Sequence, residues 1–267
     1  MKEKMKLILD NFHKYNSAHT ASMVFGFDED IEYDALVIDP GFTPYKLRLH
    51  ARPDIDFIIC NEGTNVNGYL IKKDNLNIAW IKTGVGAQSV IDHLVMCAEL
   101  KFKKIIFIGA VGALKPGYML GDICVPEYSY SCSYVDSILD HDYYATPSIH
   151  KVYPSARDIE VVKEICEKQN IRLTKAPVFC TPTFVLEYSN LEFFRERADL
   201  IEMETASVFK MSDLLEVPVY PLLIVSDNSA AGIPLLGRSK EQDEKYYSVR
   251  QNILPELIFE LAKVKEK

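Results

Sequence analysis

The chain has 267 residues, 48% of them hydrophobic, and a formal net charge of -8 at pH 7. That length and apolar content allow one large core, while the acidic balance excludes a nucleic-acid-binding surface, which needs clustered Lys and Arg. No run of 18 apolar residues occurs, and Met1 to Leu9 has no continuous apolar stretch, so neither a membrane span nor a secretion signal is expected and the predicted location is cytoplasmic.

Residues 1–34 read as an N-terminal helix and arm, with Leu7, Ile8, Phe12 and Tyr15 at helical spacing, and residues 35–267 as one α/β domain. Ala35–Asp39 is a predicted strand stopped by Pro40-Gly41, and Pro44 to Ala51 reads as a short helix carrying Lys46 and Arg48, with Arg52 just beyond it. Short strands are predicted at Phe57–Cys60, Gly68–Ile71 and Ile78–Ile81, with Asn65 and Asn67 marking turns. A turn follows at Thr83-Gly84-Val85-Gly86. Ala87 to Leu100 then shows an amphipathic face of Val90, Ile91, Leu94, Val95 and Ala98. Ile105–Ile108 is a predicted central strand opening into Gly109-Ala110-Val111-Gly112-Ala113, and Asp122–Val125 is another strand.

Tyr128 to Tyr153 is a long irregular stretch, of the kind that covers a site or joins subunits. Asp158–Gln169 reads as a helix, Ala176–Cys180 as a strand, Thr205–Leu215 as a helix, and Gln242–Val264 as a terminal helix bent near Pro255. Leu200–Met203 and Val219–Val225 read as strands, each followed by a carboxylate, Glu204 and Asp227. Ligands of α/β sheets lie outside the carboxyl ends of the strands. Two carboxylates there suit a polyhydroxy, nitrogenous ligand such as a nucleoside.

The six cysteines show no paired spacing, and neither a His/Cys cluster nor a dinucleotide fingerprint occurs at the Gly84 and Gly109 turns. No metal and no cofactor is expected.

Thr83-Gly84-Val85-Gly86, Ile106 to Ala113 followed by Gly121-Asp122, Glu202-Met203-Glu204-Thr205-Ala206 and Val225-Ser226-Asp227 stand in the order and spacing of the nucleoside phosphorylase/nucleosidase superfamily. The chain resembles that superfamily over roughly residues 35–262. Within it, Pro147-Ser148-Ile149, Cys180-Thr181 with Glu187-Tyr188 downstream, and Ser226-Asp227 through Gly232 to Leu235-Leu236-Gly237 look most like the AMP nucleosidases. The resemblance implies a three-layer α/β/α sandwich with a central mixed, partly closed sheet. It also implies cleavage of the N-glycosidic bond of a purine nucleoside or nucleotide by a homo-oligomer, whether dimer, trimer or hexamer.

The residue roles implied by the resemblance fit the chemistry of that bond, whose cleavage leaves an oxocarbenium-like sugar and pushes electrons onto the purine. Asp227 matches the aspartate that serves the base at N7, and Glu204 the carboxylate that binds the ribose hydroxyls. Met203 would pack under the ribose and Phe184 stack on the base. Gly86, Ala110, Ser226 and Glu202 complete the expected substrate-binding set, although Glu202 reads as facing away, Ser226 can cap a turn, and Arg238 reads as a solvated loop residue.

Departures from the family pattern bear on the nucleophile. Phosphorylases of the superfamily grip phosphate with arginines and a serine, whereas the matching positions here are Phe107, Ala110 and Asn61, and Pro40 to Pro44 lacks the usual arginine. Water is therefore the expected nucleophile. Lys46, Arg48 or Arg52 can rebuild an anion site, which leaves a phosphate-dependent phosphorylase as the alternative. The water-activating glutamate of related hydrolases has only Asp39 as a counterpart, and the apolar segment Pro182 to Val185 favours an uncharged 5′ group. A non-catalytic nucleoside-binding protein on the same fold is the third reading.

Overall fold

Both faces of the central sheet are covered by helices, which is why its inner strands read as unbroken apolar runs. The computed structural model describes residues 1–61, 68–139 and 148–265. The chain begins with α1 (Glu3–His13), α2 (Thr20–Phe25), β1 (Glu32–Tyr33), β2 (Ala35–Asp39), β3 (Asp56–Ile59), β4 (Gly68–Lys73), β5 (Leu76–Lys82) and α3 (Ala87–Met96). It continues with β6 (Lys101–Phe102), β7 (Ile105–Ala113), β8 (Ile123–Ser131), α4 (Val135–Leu139), β9 (His150–Val152), α5 (Ala156–Lys168), β10 (Leu173–Cys180) and α6 (Leu191–Arg195). It ends with β11 (Leu200–Glu202), α7 (Thr205–Leu215), β12 (Val219–Asn228), α8 (Lys240–Ser248) and α9 (Leu254–Lys263).

The main sheet has the order β11-β10-β8-β12-β7-β2-β5-β4-β3, with β9 beside β8, while β1 and β6 pair separately. It is mixed: β7 is parallel to β2 and β12, whereas β8 is antiparallel to β12. β11 closes part of it. Parallel to β10, it also pairs antiparallel with β7 through Leu200–Ala113 and Ile201–Gly112. Strands β11, β10, β8, β12 and β7 thus form a ring from which β2, β5, β4 and β3 extend.

Alternation along β7 divides the core. Ile105 and Phe107 join a cluster with Met5, Val90, Leu94 and Met211, bringing α1, α3 and α7 onto one face. Ile106 and Ile108 join Val162, Leu257 and Leu261 from α5 and α9 on the other. This is the expected α/β/α layering.

Several local expectations are corrected. Pro44 to Ala51 is a series of turns ending in the 3-10 turn Leu49–Ala51, because Arg48 takes a left-handed conformation at φ 57° that an α-helix excludes. The glycine-rich run after Ile108 does not leave the sheet but prolongs β7 to Ala113, held by β12 and β11. The stretch after Tyr128 is less irregular than its composition suggests, since β8 runs to Ser131 and pairs with β9. The terminal helix departs from α geometry over a π-helical turn, Val249–Ile253, just ahead of Pro255, whose ring nitrogen has no hydrogen to donate. The turn residues Asn65 and Asn67, and Pro147 in the AMP nucleosidase likeness, lie outside the described residues.

Candidate active site

Asp227 owes its position to a bulge. β12 pairs with β7 in register as far as Val225–Val111 and resumes at Asp227–Gly112, so Ser226 is the extra residue. Such an insertion re-aims the side chains that follow it. The Ser226 hydroxyl donates to Asp227 Oδ1 at 2.6 Å, and Arg238 Nη1 donates to the Ser226 carbonyl at 2.5 Å. Asp227 is 6% exposed, and burial raises its carboxyl above the usual range against the lowering influence of Ser226 and Arg238. Arg238 is not the solvated residue that its loop suggested: it lies over the Tyr246 ring, bonds Asp243 and is largely buried.

Gly112 forms the floor beneath this carboxylate. A Cβ there would stand 2.9 Å from Asp227 Oδ2 and 3.2 Å from Ile201 Cγ2. Only a glycine lets β7, β11 and the aspartate meet so closely.

Glu202 and Glu204 divide the work at the start of α7. Glu202 Oε2 accepts the backbone N–H groups of Glu204 and Thr205 at 2.7 and 2.9 Å, and Oε1 accepts the Thr205 hydroxyl and the Cys180 thiol at 2.7 and 2.6 Å. Glu202 lines the cavity, yet its oxygens serve the helix terminus and β10. Glu204 is thereby released from capping. Its Oε1 accepts the Gly86 N–H at 2.6 Å, from the turn that follows β5, and the residue is 5% exposed. Burial, then repulsion from Glu202, pushes its carboxyl up to about 8.

These groups face one cavity of about 200 Å³ lined by Pro40, Gly41, Val85, Ala110, Gly112, Phe184, Glu187, Ile201, Glu202, Met203, Glu204, Ser226, Asp227 and Leu235. Among the residues singled out from the sequence, Asp227, Glu204, Met203, Phe184, Ala110, Ser226 and Glu202 line it directly. Gly86 reaches it through the bond to Glu204. Phe184 is 47% exposed, at the mouth, where Val185, Leu186 and Leu236 are also exposed.

Asp39 and Arg52 stand apart from the cavity lining. Asp39 is fully buried, and one oxygen accepts the Gly41 and Phe42 N–H groups while the other is unpartnered; burial holds it well above the carboxylate range. It serves the turn. Arg52 is occupied by Asp54 and Glu256 and does not line the cavity, whereas Lys46 donates to the carbonyl of Gly41, a lining residue, at 2.7 Å. The charges of Lys82 and Arg250 act on Lys46, and Arg250 lies over Phe42 and Tyr247 with its Nε unpartnered.

Sequence reasoning did not single out Glu187 as a site residue. It is 7% exposed, lines the cavity, and is pushed up to about 7 by burial and then by the charge of Asp227. Its signal was a carboxylate inside the apolar run Phe184 to Tyr188, a place where a charge is costly without a partner.

The chain is 24% identical over 203 residues to a DeoD-type purine nucleoside phosphorylase of Buchnera aphidicola, covering 74% of this chain and 83% of that protein. The fold is similar to that of the 5′-methylthioadenosine/S-adenosyl homocysteine nucleosidase of Campylobacter jejuni, with a TM-score of 0.66 at 18% identity over 86% of this chain and 98% of the other. It is also similar to the AMP nucleosidase of Bacteroides thetaiotaomicron, with a TM-score of 0.65 at 17% identity over 95% and 98% of the two chains. Residues 49–254 match the family profile of the phosphorylase superfamily, and the chain belongs to that family, an enzyme family of nucleosidases and nucleoside phosphorylases.

Proposed function

We propose that this protein is a purine nucleosidase, hydrolysing the N-glycosidic bond to release free base and sugar. The observation that carries the reading is the placement of two buried carboxyls, Asp227 and Glu204, on one cavity while Glu202 takes over the capping of α7. Asp227, raised by burial, is suited to hold a proton for the base N7. As the C1′–N9 bond breaks, its electron pair passes to the purine and that proton neutralises it. Glu204 gives its proton to solvent as positive charge grows on the sugar ring, and in its anionic form accepts from the ribose hydroxyls. The oxygen of water bonds to C1′, its proton passes to solvent, and solvent returns protons to Asp227 and Glu204 for the next turnover.

The vacated arginine and serine positions, Phe107, Ala110 and Asn61, support water as the nucleophile. A second reading, phosphorolysis, is favoured by the gathering of Lys46, Lys82 and Arg250 near the Pro40–Gly41 edge of the cavity. Incubation with purine nucleosides, 5′-methylthioadenosine and AMP, with and without phosphate, separates them. Free sugar formed without phosphate supports hydrolysis; sugar 1-phosphate formed only with phosphate overturns it. No base release from any of these would overturn both in favour of a binding protein.

A further inference from the structure

Among the described residues, Glu187 is the cavity carboxyl to which no protein group donates. It lies in the 3-10 turn Leu186–Asn190, where its neighbours Leu186 and Tyr188 are exposed while it is turned inward. Glu202 is saturated by four donors, Glu204 takes the Gly86 N–H and Asp227 takes the Ser226 hydroxyl. Among the described residues, Glu187 accepts no comparable bond. Its oxygens are not among the sealed, unpartnered atoms of the fold, so they open onto the cavity, and a ligand that displaces water there must supply the donor in its place.

Its position fixes which part of a ligand it meets. The turn that carries Glu187 leads straight into α6, whose Arg195 donates to the Ser229 hydroxyl at 3.4 Å two residues beyond Asp227, and the charge acting on Glu187 is that of Asp227, so Glu187 stands at the Asp227 end of the cavity. Phe184 and Leu235 supply apolar wall to the same cavity. With Asp227 at N7, the next hydrogen-bonding position around the purine edge is the substituent at C6. Meeting that substituent from the N7 side, away from the N1–H that a 6-oxopurine carries, a carboxylate accepts from an amine and repels a carbonyl oxygen.

We propose that Glu187 is a specificity-determining residue of the base site, selecting 6-aminopurines over 6-oxopurines. The inference rests on the reading of the cavity as a purine site and adds the identity of the base.

The test is equilibrium binding of free adenine and free hypoxanthine at about pH 8, measured calorimetrically on the full-length protein, Glu187→Gln and Glu187→Leu. We expect wild-type protein to bind adenine at least about tenfold more tightly, a ratio that a site built around one buried polar contact readily reaches. In Glu187→Gln the ratio should fall to within about threefold, because an amide turns to meet either an amine or a carbonyl. Glu187→Leu should bind both bases weakly and without preference. A wild-type ratio near one, or one left unchanged by both substitutions, would overturn the inference. Turnover is scored separately: a protein that prefers adenine but releases no base from nucleosides refutes the catalytic reading alone, and turnover with an unchanged ratio refutes this one alone.

Discussion

The Ser226 hydroxyl donates to Asp227 Oδ1 at 2.6 Å from the residue by which β12 slips its register against β7. The bulge therefore supplies both the direction of the carboxylate and a bond that opposes its protonation. Ser226→Ala removes the opposition, so the acid keeps its proton to higher pH. The alkaline limb of the pH profile of kcat/KM should move upward, and an unmoved limb would assign that limb to another group.

Asp227→Asn tests the acid itself. The amide retains the shape of the side chain but has no acidic proton to deliver. We expect kcat to fall by about 10²–10⁴-fold with free-base binding retained, measured by base release and calorimetry.

Glu204→Gln should alter how stability responds to pH. The folded chain holds the Glu204 proton up to about 8 and that of Glu187 up to about 7, whereas their ordinary value is 4.5. Unfolding releases these protons in between, so the contribution of these two groups to stability is full below 4.5 and is lost as pH rises through 7 and 8. Thermal unfolding between about pH 5 and about pH 8.5 should show a smaller decline in Glu204→Gln than in wild type. Equal declines would place the proton uptake elsewhere.

Glu202→Leu separates scaffold from site. Four donors, from Glu204, Thr205 twice and Cys180, would lose their acceptor in a buried setting. A loss of about 3 kcal/mol or more is expected in denaturant unfolding. Wild-type stability with lost ligand binding would instead make Glu202 a direct ligand contact.

Gly112→Ala places a methyl group 2.9 Å from Asp227 Oδ2 and 3.2 Å from Ile201 Cγ2. Overpacking of this kind costs about 1–3 kcal/mol. Base release should drop further than stability explains, because the displaced atom belongs to the proposed acid. Measured together, unfolding and kcat distinguish displacement of Asp227 from general loosening.

The sheet, its helical layers and the strands ending near Glu204 and Asp227 were legible because burial on two faces writes itself as apolar runs and amphipathic periods. Local chemistry was less legible. Glycines at 109 and 112 look like a turn in isolation, and only the pairing of β7 with two other strands keeps them extended. Two glutamates spaced by one residue gave no sign of which would cap α7; that depended on Cys180 and Thr205 standing opposite Glu202. The sequence assigns Glu187 no role, since its inward turn and its nearness to Asp227 are facts of tertiary placement.

Closure of five strands into a ring has a consequence for how the substrate range of this protein can change. Residues on β7, β11 and β12 are cross-tied, so a substitution in any one strand disturbs the other two together with both carboxylates. Segments 182–190 and 230–237 lie beyond the strands of that closure. New specificity is therefore most accessible through the two rim segments, with the inherited chemistry left standing behind them.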